Sequence, residues 1–310
     1  MNILCLCPTY GRPLHLIRNS LACFVTQSYP NKHLLLFDDK GNLESFHNLN
    51  LQYSVISTRN RVNSLSNKYN VMMKAMLNRY DVQSQGLESV NGYDLDNLPD
   101  MYLSDIYGIN FRWDAIAIWD DDDLYLPHYL RNHVYNLKRQ YNFAGDLCWS
   151  KPNKVWTTYG WNCFNEEEQN KPKVTLVDAE GRFHGSVAMT TNMFEEIHGY
   201  PDTKEIIYDQ KVIGELSKYR PEVATAAGYW AYKYGYVYRW HDSCATHLST
   251  VKKDSDYDSY PGIKTRFEKP LLTPNFDAFA YMVGDELGYK LSIEQIYAYK
   301  RILMGRNEQD

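Results

Sequence analysis

The chain contains four consecutive aspartates, Asp120–Asp123, directly after the apolar segment Ala115–Trp119. Such a short, uniformly apolar segment is typical of a strand buried on both faces of a parallel sheet. In such sheets, ligands bind beyond the carboxyl ends of the strands. Adjacent carboxylates repel one another, and a divalent cation relieves that repulsion. The run therefore predicts a Mg²⁺ or Mn²⁺ site at a sheet edge. The alternative is a solvated acidic turn ahead of a helix that begins at Pro127.

Two apolar runs near the start of the chain have the same form. The segments 3–7 and 34–37 are short and apolar, and they lead into Thr9 and Asp39. Residues 53–57 are predicted to form a further strand. Because the carboxyl ends of parallel strands meet at one edge, these polar residues and the four aspartates are expected to lie together.

Helices are predicted between these strands. Pro13 begins the first, with Leu14 on its inward face, and apolar spacing marks a second helix over 65–76. Buried strands alternating with helices predict an α/β fold, with a mostly parallel sheet flanked by helices. Residues 81–112 are polar and are expected to form a loop. In the second half of the chain, strands are expected over 183–190 and 234–239. Helices are expected over 206–216 and 292–303.

Composition narrows the classes of function. The 310 residues include 33 basic and 38 acidic side chains, a formal net charge of −5, which argues against a protein held to nucleic acid mainly by charge. The 27 tyrosines suit stacking on a sugar or a base, although protein cores also use tyrosine. The sequence shows no membrane-spanning apolar stretch, secretion signal or CxxC pair. We therefore expect a cytoplasmic protein with free thiols.

Four short motifs occur in order over the first 140 residues. They are residues 7–13 (CPTYGRP), 36–41 (LFDDKG), 68–70 (KYN) and 118–127 (IWDDDDLYLP). Together they resemble the family 2 glycosyltransferases of GT-A (Rossmann-like) fold, whose corresponding segments read PTYNRP, VVDDGS, KxN and FLDDDDLYLP. Each motif alone is weak, but their shared order and spacing are specific.

The resemblance implies a site for a nucleotide-sugar donor, with UDP as the expected nucleotide. The residues implied in holding that donor are Pro8, Thr9, Tyr10, Arg12, Asp39, Lys68, Asp120 and Asp121. The implied ligands of Mn²⁺ or Mg²⁺ are Asp122, Asp120 and His241, with His247 as a second histidine. The alternative for Lys68 is an ordinary exposed lysine. The alternative for His241 is a structural histidine.

The resemblance also implies a general base at the start of a helix in the second half of the chain. Asp209 is the closest match, with Asp202 and Glu205 in reserve, although Tyr208 stands where the family carries a glutamate. The alternative is that Asp209 only caps its helix. Independently of the resemblance, five aromatic residues are candidates for lining an acceptor groove, and the alternative for each is packing in the core. They are Trp149, Trp156, Tyr159, Trp161 and Trp230.

These observations predict a metal-dependent, non-processive, inverting glycosyltransferase that acts on an acceptor hydroxyl, with a surface glycan as the first expectation. One alternative glycosylates a hydroxymethylated base in DNA, using local positive charge such as that of Lys151 and Lys154. Others are a nucleotidyltransferase and a non-catalytic nucleotide- or sugar-binding module. The expected division is a donor half over 1–140, an α+β acceptor and catalytic half over 141–250, and a C-terminal helical extension over 251–310.

Overall fold

The computed structural model describes most of the first half of the chain and parts of the second. The described residues are 1–9, 12, 14–39, 43, 53–58, 62, 64–77, 87–90, 93–94, 113–157, 175–179, 183–201, 208–219 and 235–238. They form two sheets flanked by helices. The expected extension over 251–310, with its helix over 292–303, lies outside the described residues.

The larger sheet has eight strands. They are β1 Ile3–Thr9, β2 Lys32–Asp38, β3 Tyr53–Thr58, β4 Leu87–Val90, β5 Tyr93–Asp94, β6 Ala115–Ile118, β8 Trp149–Ser150 and β11 Ala188–Thr190. Their spatial order is β5-β4-β3-β2-β1-β6-β11-β8. The four central strands β3, β2, β1 and β6 are parallel, and the strands flanking them on both sides pair antiparallel. The predicted α/β sheet is thus confirmed, with its parallel part at the centre.

The central strands are apolar throughout because both of their faces are covered. Along β1, Ile3, Cys5 and Cys7 belong to one hydrophobic core, whereas Leu4 and Leu6 belong to the other. All seven residues of β1 are buried. Alternate side chains point to opposite faces of a strand, so a strand between two cores needs apolar residues at nearly every position.

Five helices cover the two faces of this sheet in the described residues. They are α1 Leu14–Val25, α2 Leu65–Leu77, α3 Tyr129–Ala144, α4 Thr191–Glu196 and α5 Tyr208–Leu216. Helices α1 and α3 contribute to the core on one face, and α2 and α5 to the core on the other. The predicted inward position of Leu14 is wrong, since this first helical residue is exposed whereas Ile17 and Leu21 are buried.

The smaller sheet has four strands in the order β10-β9-β12-β7. They are β7 Leu124–Tyr125, β9 Lys154–Thr157, β10 Thr175–Asp178 and β12 Tyr236–Tyr238. The four aspartates lie between β6 of the larger sheet and β7 of the smaller one. The acidic run therefore occupies the junction between the two sheets.

Two local predictions are wrong. The strand expected over 183–190 is a 3₁₀ turn, His184–Ser186, followed by the short strand β11. Phe183 at its start has a positive φ of 60°, which a strand does not adopt. The polar segment 81–112 contains β4 and β5, because pairing with β3 overrides its loop-like composition. Within the described residues, no helix is long and apolar enough to cross a membrane.

Candidate active site at the carboxyl edge of the parallel strands

A buried ion pair lies where β1 and β2 end. Thr9 and Asp38 are partners in the parallel register, so Asp39 follows beside the end of β1. Lys68 of α2 donates to Asp39 Oδ1 at 2.8 Å and to the Thr9 carbonyl oxygen at 3.2 Å. Lys68 is only 5% exposed, so the alternative of an exposed lysine is wrong. The pair brings together three residues that the sequence assigned to the donor site.

Arg12 connects the segment after β1 to the aspartate run. Its Nε donates to Asp121 Oδ1 at 3.0 Å, and its Nη2 lies 2.9 Å from Asp122 Oδ2. The side chains of Arg12, Asp121 and Asp122 are 16%, 5% and 11% exposed. One guanidinium therefore binds two carboxylates that are largely shielded from water. We call Thr9, Arg12, Asp39, Lys68 and Asp120–Asp122 the aspartate edge.

Asp120 is held by contacts to both its main chain and its carboxylate. The Ser20 hydroxyl donates to the Asp120 carbonyl oxygen at 3.1 Å, and the Asp120 amide donates to the Tyr125 hydroxyl at 2.6 Å. The Tyr69 hydroxyl lies 3.4 Å from Asp120 Oδ1, within donating distance. Gly185 lies against the other oxygen, since a Cβ on that glycine would come within 2.2 Å of Asp120 Oδ2.

Asp123 differs from its three neighbours. Its side chain is buried and accepts a hydrogen bond from the Tyr236 hydroxyl of β12. That contact reinforces the pairing of β12 with β7 in the smaller sheet. The fourth aspartate therefore has a structural role, a distinction that four identical residues in sequence do not reveal.

Burial and neighbouring carboxylates raise the pKa of Asp120 and Asp121. Burial is the largest cause of an Asp120 pKa of about 8, followed by the charges of Asp122 and Asp121, while the Tyr69 hydrogen bond and Arg12 act in the opposite direction. The pKa of Asp121 is also raised, mainly by burial, although the Arg12 charge lowers it. A further cation beside these groups would favour their charged forms.

The side chains available as ligands determine which kind of metal site this edge suits. No three His, Cys, Asp or Glu side chains form a ligand cluster by themselves in the part of the chain that the structure describes. Mg²⁺-type ions commonly bind one or two carboxylates and complete their coordination with water and substrate phosphates. Asp122, with Asp120 and Asp121 beside it, supplies such a partial set. The residues fit an ion shared with a diphosphate rather than one enclosed by protein.

A second group of residues covers Asp120 from the side of the 3₁₀ turn. Tyr69 stacks on Tyr200, with ring centroids 4.6 Å apart and planes at 18°. The Tyr200 hydroxyl is hydrogen-bonded to His184 of the turn. Burial lowers the pKa of His184 to about 3, so this histidine is neutral. We call residues 184–186, 199–201 and α5 the turn side.

Asn70 ties the turn side to α2. Its Nδ2 donates to the Tyr200 carbonyl oxygen at 2.8 Å, and its Oδ1 accepts from the Tyr200 amide at 2.8 Å. The preceding Gly199 has φ +70°, and a Cβ there would lie 2.7 Å from Asn70 Oδ1. Glycine therefore permits both the backbone conformation and the close approach. Three successive residues of the LysTyrAsn motif thus contact three different groups. Lys68 binds Asp39, Tyr69 lies against Asp120, and Asn70 binds the turn side.

Asp209 lies in the first turn of α5. Its Oδ1 accepts from the Gln210 amide at 2.7 Å, a contact typical of a helix N-terminus. Burial raises its pKa, and the backbone hydrogen bonds lower it. Helix α5 packs against the 3₁₀ turn that covers Asp120. A carboxylate contact with a backbone amide in the first helical turn, as the helix-terminus alternative predicts, is thus present.

Several other residues predicted for the site do not belong to the arrangement described above. Trp149 is buried and donates through Nε1 to the Tyr219 carbonyl oxygen, so it belongs to the core and does not line a groove. Pro8 is buried within β1. The candidates that lie outside the described residues are Tyr10, Tyr159, Trp161, Asp202, Glu205, Trp230, His241 and His247.

Comparison with solved structures identifies the fold. S. aureus TarS 1-349 in complex with UDP-GlcNAc superposes with a TM-score of 0.50 and 14% identity, covering 97% of this chain and 79% of that one. The fold is of the GT-A type. At this identity the similarity defines the fold alone.

Two other solved structures give lower scores. A second structure of S. aureus TarS 1-349 has a TM-score of 0.48 and 12% identity, over 98% of this chain and 81% of that one. Mannosyltransferase PcManGT from Pyrobaculum calidifontis, in complex with GDP-Man and Mn²⁺, has a TM-score of 0.41 and 15% identity, over 98% and 68%. No protein-family model matches the chain, and no curated protein matches it.

Sequence reasoning missed the residues that position the aspartates. Tyr69, Tyr125 and Tyr236 each place a hydroxyl on this acidic run, and Gly185 allows the turn to approach it. The only available signal was that Tyr69 and Tyr125 lie inside the recognised motifs. Tyr236 and Gly185 come from distant parts of the sequence, so local patterns could not find them.

Proposed function

We propose that this protein is a metal-dependent glycosyltransferase that transfers a sugar from a nucleoside diphosphate, UDP in the first instance, to an acceptor hydroxyl with inversion at the anomeric carbon. The observation that carries the proposal is the aspartate edge. At the carboxyl ends of β1, β2 and β6 it joins a buried Asp39–Lys68 pair to a carboxylate cluster held by Arg12. In an open parallel sheet, ligands bind at that edge.

The aspartate edge has the groups that a nucleotide diphosphate requires. Asp39 and the segment around Thr9 would accept hydrogen bonds from the nucleoside, and Asp120 and Asp121 from the ribose hydroxyls. Lys68 and Arg12 supply positive charge for the diphosphate, and an arginine binds phosphate oxygens in a bidentate manner. UDP-GlcNAc bound to TarS, which shares the fold, supports a UDP-sugar as the first donor to test.

Asp122, with Asp120 beside it, would hold Mn²⁺ or Mg²⁺. When bound, that ion neutralises charge on the departing diphosphate. The protein's own residues orient the donor: Tyr69 and Gly185 fix the Asp120 carboxylate, and Arg12 fixes Asp121 and Asp122. His241 is retained as a further candidate ligand from the sequence alone.

The transfer step is a direct displacement. The acceptor oxygen forms a bond to the anomeric carbon, and the bond from that carbon to the diphosphate oxygen breaks with its electron pair leaving on the nucleoside diphosphate. The Asp209 carboxylate takes the proton from the attacking hydroxyl. Burial raises the pKa of Asp209, which makes it a stronger base than an exposed aspartate. Its helix packs against the turn that covers Asp120, which brings base and donor site to one region.

The first test is calorimetric titration of the full chain with UDP, GDP, CDP and ADP, each with and without Mn²⁺. The expected result is Mn²⁺-dependent binding of UDP in preference to the other three. If no nucleotide binds under either condition, the proposal is wrong and the aspartate run is a structural turn.

For the acceptor, we propose a saccharide hydroxyl, because the net charge of −5 disfavours a DNA groove. Lys154, one of the lysines considered for DNA contact, lies 3.6 Å from Asp178. An acceptor screen should therefore show transfer to glycans that changes little with salt. Transfer to DNA containing hydroxymethylated bases, falling steeply as salt rises, would overturn this assignment.

A further inference from the structure

Arg12 contacts Asp122, the first of the proposed metal ligands, and the neighbouring Asp121. Its guanidinium bridges Asp121 Oδ1 at 3.0 Å and Asp122 Oδ2 at 2.9 Å. An arginine side chain stays charged at any physiological pH, so these contacts are not relieved by losing a proton. A divalent cation that binds Asp122 Oδ2 must either displace Arg12 from that oxygen or bind directly beside the guanidinium charge.

The surroundings make this competition strong. All three side chains are mostly shielded from water, and electrostatic interactions are screened less in such sites than at an exposed surface. Among the described residues, Arg12 contacts both Asp121 and Asp122, and Asp120 adjoins them, whereas Asp123 is engaged by Tyr236 and Asp39 by Lys68. The cluster therefore still attracts a cation, but one that binds next to Arg12 is repelled by it.

A diphosphate offers Arg12 a substitute partner. Guanidinium groups pair with phosphate oxygens, as they do with carboxylates, through two parallel hydrogen bonds. Arg12 follows β1 by three residues, beside the strand end at which Lys68 holds Asp39. The guanidinium therefore belongs to the same edge of the sheet as the other residues proposed to hold the donor.

We infer that Arg12 is an internal competitor of the metal, which holds Asp121 and Asp122 until the diphosphate of the donor draws its guanidinium away. The inference rests on the proposed function and adds a binding order to it. Metal alone binds weakly, and metal and nucleoside diphosphate strengthen each other's binding. Because linkage is reciprocal, the factor by which UDP improves Mn²⁺ affinity equals the factor by which Mn²⁺ improves UDP affinity.

The test is Mn²⁺ binding to the full chain without nucleotide, measured by electron paramagnetic resonance of free Mn²⁺. Arg12→Gln keeps a polar side chain but removes the charge, so it is expected to bind Mn²⁺ on the order of tenfold more tightly than the wild type. The gain in Mn²⁺ affinity on adding UDP should shrink in the same variant. Arg12→Lys, which keeps the charge but lacks the planar, two-pronged guanidinium, should lie between the two.

Arg131→Gln is the matched control, since Arg131 is exposed and donates to the Ser28 carbonyl oxygen. It should leave Mn²⁺ affinity unchanged. Equal or weaker Mn²⁺ binding by Arg12→Gln, with Mn²⁺-dependent UDP binding intact in the wild type, would overturn the inference while leaving the proposed function standing. Absence of Mn²⁺ and UDP binding in the wild type would instead overturn the proposed function. Should Arg12→Gln fail to fold by circular dichroism, Arg12→Lys decides: affinity no higher than that of the wild type rejects the inference.

Discussion

The aspartate edge and the turn side reach the same carboxylate, Asp120, by different structural means. The aspartate edge takes its side chains from the ends of adjacent parallel strands whose residues are all buried, and its charges are paired with Arg12 and Lys68. The turn side uses a 3₁₀ turn, a glycine with positive φ and a helix of nine residues. Burial raises the pKa of Asp209, and backbone hydrogen bonds lower it.

The two regions therefore differ in how their side chains are held in position. Charged groups are held in place by strand register at the aspartate edge, which suits the binding of a charged donor. On the turn side, position is set by neutral contacts: the Asn70 hydrogen bonds and the stacking of Tyr69 on Tyr200. Loss of a carboxylate at the aspartate edge should therefore weaken metal and donor binding. Changes on the turn side should affect transfer or stability, and donor binding only where they displace Asp120.

Asp122→Asn should have the largest effect. Removing this carboxylate charge is expected to reduce Mn²⁺-dependent UDP binding and turnover by about 10² to 10³ or more, comparable with the loss of one electrostatic contact in other active sites. Calorimetry with Mn²⁺ and UDP measures the binding part. The neighbouring Asp123→Asn is the matched control, since asparagine can still accept from Tyr236 and should retain metal-dependent binding. Equal losses in both variants would contradict the distinction between the two aspartates.

Asp209→Asn should distinguish the role of the turn side from that of the aspartate edge. Loss of the general base is expected to lower kcat by about 10² to 10⁴ while the affinity for UDP and Mn²⁺ stays unchanged. Steady-state kinetics with the acceptor found by screening, together with UDP calorimetry, gives both values. Asp178→Asn, at an exposed aspartate beside Lys154, should change neither. Full activity in Asp209→Asn would leave this residue with the capping role alone.

Gly185→Ala should disturb the contact between the regions. The added Cβ would lie 2.2 Å from Asp120 Oδ2 and 2.9 Å from the Tyr236 hydroxyl, so the turn must move at a cost of about 1–3 kcal/mol. Thermal and urea unfolding measure that cost, and metal-dependent UDP binding should weaken too. Gly214→Ala, on the exposed face of α5 with open space around it, is expected to stabilise by about 0.5–1 kcal/mol. Similar results for both glycines would contradict the close approach at Gly185.

The last prediction concerns pH and a residue outside both regions, with no effect expected on donor binding. Burial lowers the pKa of His133 to about 3, whereas an unfolded histidine titrates near 6.5. Between these values only the unfolded chain binds the proton, so this group destabilises the fold as pH falls. His133→Gln should reduce the slope of unfolding free energy against pH by up to about 1.4 kcal/mol per unit between pH 6 and 4. Parallel curves for the two proteins would show that His133 is not buried as a neutral group.

Much of the aspartate edge could be predicted from the sequence, because its residues follow strands with a strong local signal. Thr9, Asp39 and Asp120–Asp122 come directly after apolar runs, and parallel pairing must bring such ends together. The partners were not predictable in the same way. Lys68 binds Asp39, and Arg12 binds Asp121 and Asp122, and no spacing rule specifies either pair.

The turn side was predicted less well. The helix expected over 206–216 was found at Tyr208–Leu216, but the strand expected over 183–190 proved to be mostly a 3₁₀ turn. Three residues of β11 remain, paired with β6 and β8. The apolar and small residues of this segment fit either a strand or a turn. Contact with Asp120 and Tyr129 from distant parts of the chain decides between them.

The sequence by itself determined the parallel centre of the sheet, the helices on its two faces and the gathering of acidic residues at one edge. These follow from periodicity and from the rule that parallel strands end together, and both are local properties of the chain. Only the tertiary structure decided which aspartate is structural, which cation holds the others and how the LysTyrAsn motif joins the two regions. Those outcomes depend on contacts between residues about 30 to 130 positions apart, whose geometry no local pattern encodes.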